Sequence, residues 1–199
     1  MVTQPTLILA STSPRRREIL AALALKFTVS GVEVDERCLE SETAEDMVLR
    51  LASEKAASVD VAPLDRVIGA DTAVVLGDRI LGKPRNRDEA VAMLSSLSGR
   101  RHRVLTGVAL RGPQGVQTAL SNTHVYFREI SEAEVQAYWQ SGEPRDKAGA
   151  YGIQGLGGAF VERLDGSYSG VVGLPVFETA QLLRNAGIDV LVKQTNHDR

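Results

Sequence analysis

Cysteine occurs once in this chain, at Cys38, which excludes an internal disulfide and any cysteine-built metal cluster. Histidine is nearly as scarce: His102, His124 and His197 form no pair with metal-ligand spacing, and no G-x-S-x-G elbow accompanies them. Zinc hydrolysis and triad chemistry are thereby disfavoured. Aromatics make up 5% of the chain, and Phe127, Tyr138 and Trp139 read as core or interface rather than as stacking platforms for nucleic acid. Charge of either sign is not in excess. With 23 Lys and Arg against 25 Asp and Glu the net charge is -2, whereas a protein built to grip nucleic acid carries a basic surplus. Long apolar runs are missing too: residues 7–10 are far too short for a signal or a membrane span, and no basic n-region precedes them. Neither a Walker loop nor a G-x-G-x-x-G fingerprint is present. These absences lead us to expect an intracellular protein in a reducing cytoplasm, with neither nucleic acid nor membrane as partner.

What is present is ordinary globular material: 43% hydrophobic and 24% charged residues over 199 positions, enough for an adequate core. Residues 6–10 read as a short buried strand. Ser13 offers an N-cap and Pro14 suits the first helical position, with Ile19, Leu20 and Leu23 recurring at helical spacing. Residues 26–32 read as a second strand, closed by Val34-Asp35-Glu36. Residues 43–59 form an amphipathic helix with Met47, Val48, Leu51 and Ala52 available to its inward face. Gly77-Asp78 is a two-residue hairpin signal between 73–76 and 79–81. Asn86 and Glu89 start a helix to Leu97, and Ser131 with Glu134 starts another that ends near Gly142 and Pro144. Two longer strands are expected at 102–111 and 116–130. A last hairpin of 160–164 with 167–172 turns at Asp165-Gly166, a closing helix follows Pro175 through Asn185, and 193–199 reads as a frayed tail. Strands alternate with helices early and hairpins dominate later. The expected class is therefore α/β, a mixed twisted sheet flanked by helices, over a single domain spanning 1–199.

Asp71 interrupts an apolar run, Val67-Ile68-Gly69-Ala70-Asp71-Thr72-Ala73-Val74-Val75. A carboxylate there is costly to bury without compensation. It could cap a turn or pair with an arginine; it could equally orient a water, deprotonate it, or ligate a divalent ion. Ser13-Pro14-Arg15-Arg16 places a helix N-terminus and forked donors together, which suits phosphate, although a plain capped helix with solvated arginines reads the same way. A hard cation needs one or two carboxylates plus phosphate oxygens, which Glu36 and Asp71 could supply. Lys83, rigidly set in Gly82-Lys83-Pro84, is a better candidate for a phosphate contact than Lys55 on its helix. Gly152 to Gly158 holds four glycines around Gln154, which can donate and accept at once, as reading a base edge requires; a flexible turn is the alternative.

Taken in order, L-A-S-T-S-P-R-R, V-D-E, S-E-K-A, G-A-D-T, G-K-P-R, L-S-G-R-R-H-R-V-L-T-G-V, K-A-G-A-Y-G-I-Q-G and V-V-G-L-P resemble the Maf family of nucleoside triphosphate pyrophosphatases. The resemblance runs from Leu7 to about Leu183. It implies two lobes around a deep nucleotide-binding cleft, as in inosine triphosphatase-like folds, commonly in a homodimer. It also implies Mg²⁺- or Mn²⁺-dependent cleavage between the α and β phosphates. By the same resemblance Asp71 is the catalytic base and, with Glu36, a metal ligand, while Ser11, Arg16, Lys55 and Lys83 line the phosphate region. Arg15, Thr72 and Gln154 match the branch that prefers dTTP and UTP. A sister branch acting on 7-methyl-GTP carries a bulky aromatic, a Gln and a Glu at those places. Gly170 departs from the larger residue of many relatives. The competing expectations are a non-catalytic nucleotide-binding regulator of septum formation and a purine triphosphate pyrophosphatase.

Overall fold

A computed structural model describes residues 6–191; the 193–199 tail lies outside the described residues. In chain order its elements are β1 (Leu7–Ala10), α1 (Pro14–Ala22), β2 (Thr28–Ser30), α2 (Ala44–Ala57), β3 (Arg66–Leu76), β4 (Arg79–Leu81), α3 (Arg87–Leu97), β5 (Arg101–Gly112), β6 (Gly115–Phe127), α4 (Glu132–Gln140), β7 (Val161–Asp165), α5 (Tyr168–Val172) and α6 (Val176–Asn185). One mixed sheet of seven strands runs β2-β1-β3-β5-β6-β7, with β4 folded back on β3. β1 is parallel to both its neighbours, and the remaining pairs are antiparallel. No helix among the described residues is long and apolar enough to cross a membrane.

The helix starts follow from local chemistry. Ser13, Thr43, Asn86 and Ser131 each accept a backbone N–H from the first turn of the helix that follows, and Ser131 with Glu134 completes a capping box. The position of α2 depends on two glycines. A Cβ on Gly69 of β3 would lie 2.1 Å from the Ala52 carbonyl oxygen, and one on Gly107 of β5 would lie 2.3 Å from that of Val48. Without side chains at these points α2 rests its backbone directly on the sheet. Asp71 pairs in register with Gly107, so the contact falls beside the acid.

Two expectations are corrected. Only Thr28–Ser30 pairs with β1, so Val34-Asp35-Glu36 lies in the irregular chain beyond the strand rather than closing it. Residues 167–172 are not the second arm of a hairpin. The Ser167 side chain accepts from the Gly170 N–H at 3.0 Å and starts α5, while β7 pairs with β6 instead. The apolar-polar alternation of 167–172 matched a strand, but the hydroxyl cap and Gly170 favour a helical turn. Gly166, at φ 132°, still makes the turn.

Candidate active site

A cleft of about 1030 Å³ opens along the ends of β1 and β3. Its walls include Ser11, Arg15, Arg16, Glu36, Lys55, Asp71, Thr72, Lys83 and Gln154, so every site residue expected from the sequence faces one space. Asp71 and Lys55 are 8% and 7% exposed, which makes their pairing decisive. Lys55 falls on the inward stripe of α2 with Leu51, Ala52 and Ala56, where hydrocarbon would be expected. Its ammonium donates to Asp71 Oδ1 at 2.7 Å and to Glu36 Oε1 at 2.6 Å. Glu36 Oε2 lies 3.6 Å from Lys83 Nζ. Burial by itself would raise the Glu36 carboxyl, but the Lys55 hydrogen bond and charge, with Lys83 and Arg16 beyond, hold it below its ordinary range. Asp71 Oδ2 accepts no hydrogen bond from the described residues, and it is the oxygen left for a water or a ligand.

Arg16 is fixed on three sides. Its Nε donates to the Gly173 carbonyl at 2.8 Å, and its terminal nitrogens to Ser11 Oγ at 3.5 Å and Thr72 Oγ1 at 3.2 Å. Burial draws the guanidinium down from its ordinary value against the raising charges of Asp71 and Glu36; it remains a cation at working pH. The polarity of Thr72 follows from its partners. Thr106 donates its single proton to the Gly170 carbonyl at 2.8 Å. In the 3.0 Å contact between the two threonines, Thr72 must therefore be the donor. With its proton spent on Thr106 and one lone pair on Arg16, Thr72 can offer a ligand only an acceptor.

Arg15 Nη1 meets Asp146 Oδ2 at 3.3 Å, across the cleft. The Gly-rich loop differs from expectation in its reason for glycine. None of its four glycines has a positive φ. Instead a Cβ on Gly155 would lie 2.3 Å from Glu143 Oε2, one on Gly157 2.5 Å from the Tyr138 hydroxyl, and one on Gly152 2.7 Å from Lys147 Cε. Sequence reasoning assigned nothing to Glu143, Asp146 or Lys147; the G-E-P-R-D run looked like the polar end of a helix. It also passed over the buried His102, whose Nε2 meets the Tyr151 hydroxyl at 2.8 Å. Tyr151 lines the cleft.

No three metal-ligating side chains cluster among the described residues. Glu36 and Asp71 nevertheless fit a hard divalent cation: two carboxylates converge on one ammonium, and such an ion takes its other ligands from water and phosphate.

The fold and cleft define a mixed α/β protein whose site joins a buried carboxylate to a cluster of cations, a setting for an anionic substrate. The chain belongs to the Maf family: the model of that family, described as Maf-like protein, matches residues 6–186. Relatives named dTTP/UTP pyrophosphatase include one from Hahella chejuensis, 54% identical over 188 residues that cover 92% of this chain and 94% of the relative. The one from Colwellia psychrerythraea is 52% identical, covering 93% and 90% of the two chains. That from Methylococcus capsulatus is 55% identical, covering 92% and 91%. Among solved structures, the Staphylococcus aureus Ham1 protein aligns at 16% identity with a TM-score of 0.43, covering 64% of this chain and 72% of that one. A likeness of that size says nothing of substrate or mechanism.

Proposed function

We propose that this protein is a nucleoside triphosphate pyrophosphatase that hydrolyses dTTP and UTP to the monophosphate and pyrophosphate. The observation that carries the reading is Asp71: a buried carboxylate with one oxygen tied to Lys55 and the other free toward a cation-lined cleft. The names of its relatives at 50% identity and above support it.

In this reading Asp71 Oδ2 orients a water and accepts its proton as the water oxygen bonds to the α phosphorus. The bond from that phosphorus to the bridging oxygen breaks, and pyrophosphate leaves with the electron pair. Lys83, Lys55 and Arg16 balance the charge that grows on it, and Ser11 lies beside them. Glu36 holds Lys55 in place and, with Asp71, would hold Mg²⁺ or Mn²⁺, which when bound supplies further charge neutralisation at the phosphates.

Base choice rests on Arg15, Thr72 and Gln154. Thymine and uracil present an N–H at N3 between two carbonyls, whereas cytosine presents an acceptor there. The acceptor-only Thr72 suits the former, with Arg15 and Gln154 available for the carbonyls; an unmatched base leaves buried polar groups unpaired. The working form in this proposal is a homodimer in the cytoplasm, where the exposed, unpaired Cys38 stays reduced.

Hydrolysis of dTTP in ¹⁸O-water tests the chemistry. The label should enter thymidine monophosphate and not pyrophosphate. Asp71→Asn should lower kcat by about 10²- to 10⁴-fold, the ordinary share of a general base, with nucleotide binding retained. Label in the pyrophosphate, or near-normal turnover in the variant, would sink the mechanism.

A further inference from the structure

Gln154 sits on a loop that has no strand or helix of its own to hold it, since it falls between the 3-10 turns Ala148–Ala150 and Leu156–Phe160. The hydrogen bonds of this loop end on two side chains. Glu143 Oε2 accepts from the Leu156 N–H at 2.9 Å, and Glu143 Oε1 from the Gly157 N–H at 3.1 Å. The Tyr138 hydroxyl accepts from the Gly152 N–H at 3.1 Å and donates to Glu143 Oε1 at 2.8 Å. One carboxylate and one phenol thus collect backbone donors from both sides of Gln154. The close approaches at Gly155 and Gly157 are made to these same two groups, so the loop is seated on them by shape as well.

Glu143 is also well suited to stay ionised. Burial would raise its carboxyl, but the hydrogen bonds from Tyr138, Gly157 and Leu156 and the charge of Lys147 hold it below the ordinary range. Lys147 donates to the Glu143 carbonyl at 2.7 Å and to Asp146 Oδ1 at 2.7 Å. Asp146 in turn meets Arg15 on the opposite wall. The 3-10 turn Glu143–Asp146 therefore touches the supports of both Gln154 and Arg15.

We propose that Glu143 is a positioning residue for base selection: its carboxylate anchors the loop that presents Gln154, and through it sets how strongly the enzyme separates keto pyrimidines from cytosine. The inference rests on the dTTP/UTP reading above. Glu143 touches no reacting atom, so its loss acts on binding of the base and leaves the water, the α phosphorus and Asp71 undisturbed.

The test compares the wild type with Glu143→Gln, Gln154→Ala and the double variant, each assayed for kcat and KM on dTTP, UTP and dCTP. Glutamine keeps the size but faces a loop N–H with an amide N–H₂. Loss of one such charge-assisted bond predicts a fall of roughly tenfold in the dTTP-to-dCTP ratio of kcat/KM. The fall should appear in KM, with kcat for dTTP nearly kept. The double variant should discriminate no worse than Gln154→Ala, and hydrogen exchange at Leu156 and Gly157 should quicken in Glu143→Gln. Tyr138→Phe, a milder change, should move the same ratio in the same direction. Unchanged discrimination despite faster exchange, or losses that add in the double variant, would overturn the proposal. A wild type without base preference would instead overturn the reading beneath it, and unaltered exchange at Leu156 and Gly157 would then overturn the anchor as well.

Discussion

Lys55 occupies a helix position flanked by Leu51, Ala52 and Ala56, so its ammonium is buried and needs anionic partners. Asp71 and Glu36 meet that need together, which is why exchanging Asp71 for Asn leaves Lys55 still paired with Glu36 and should leave the fold intact. His102 behaves differently. It is 2% exposed, and burial lowers its pKa to about 4 against a weaker opposing pull from the Arg100 carbonyl. The folded ring is neutral at pH values where the unfolded ring, near 6.5, already binds a proton. Its contribution is therefore full above pH 6.5 and is lost as pH falls toward 4, by roughly 3 kcal/mol over the window. Thermal melts at pH 7, 6 and 5 should show wild-type stability falling through this range. His102→Gln, less stable overall, should show a flatter slope. An equal slope in both would assign the pH dependence to other groups.

At the scale of elements, α2 and the two glycines beneath it decide where Lys55 sits. Gly69→Ala would drive a methyl into the Ala52 carbonyl and the Ala56 amide, neither of which can turn aside as a side chain could. Overpacking of this kind costs about 1–3 kcal/mol. Because α2 must lift from β3, hydrolysis should fall as well, with a lowered Tm measured alongside the assay; a variant with normal Tm and turnover would show that the contact is not needed. The helix itself was legible in the sequence, from the Thr43 cap and the spacing of Met47, Val48, Leu51 and Ala52, all of them buried. The burial of Lys55 was not, because helical periodicity identifies the apolar face without revealing which partner a charge on it will find. The 167–172 segment failed for a related reason: over six residues an alternating pattern is compatible with both states, and the Ser167 cap settles it.

Across the whole molecule, residues from β1, α1, α2, β3, the β4 hairpin and the 143–155 segment converge on one cleft. The sheet order and much of the site were readable, since Asp71, Lys83 and the Ser11–Arg16 segment carry local signals of cap, rigid turn and interrupted strand. Glu143 carried none. Its partners, Leu156 and Gly157, lie 13 and 14 residues onward, and backbone amides leave no trace in the residue types they belong to. The Arg15–Asp146 contact spans 131 residues and is equally invisible in sequence. As a partly exposed pair it adds little to stability; its effect is on where Arg15 points. The central claim, that this cleft hydrolyses keto-pyrimidine triphosphates, is tested most directly by pyrophosphate release from dTTP, UTP, dCTP, GTP, ITP and 7-methyl-GTP, with Mg²⁺ or Mn²⁺ and with chelator. The account predicts metal-dependent release led by dTTP and UTP. Release led by a purine nucleotide, or none from any of them, would contradict it.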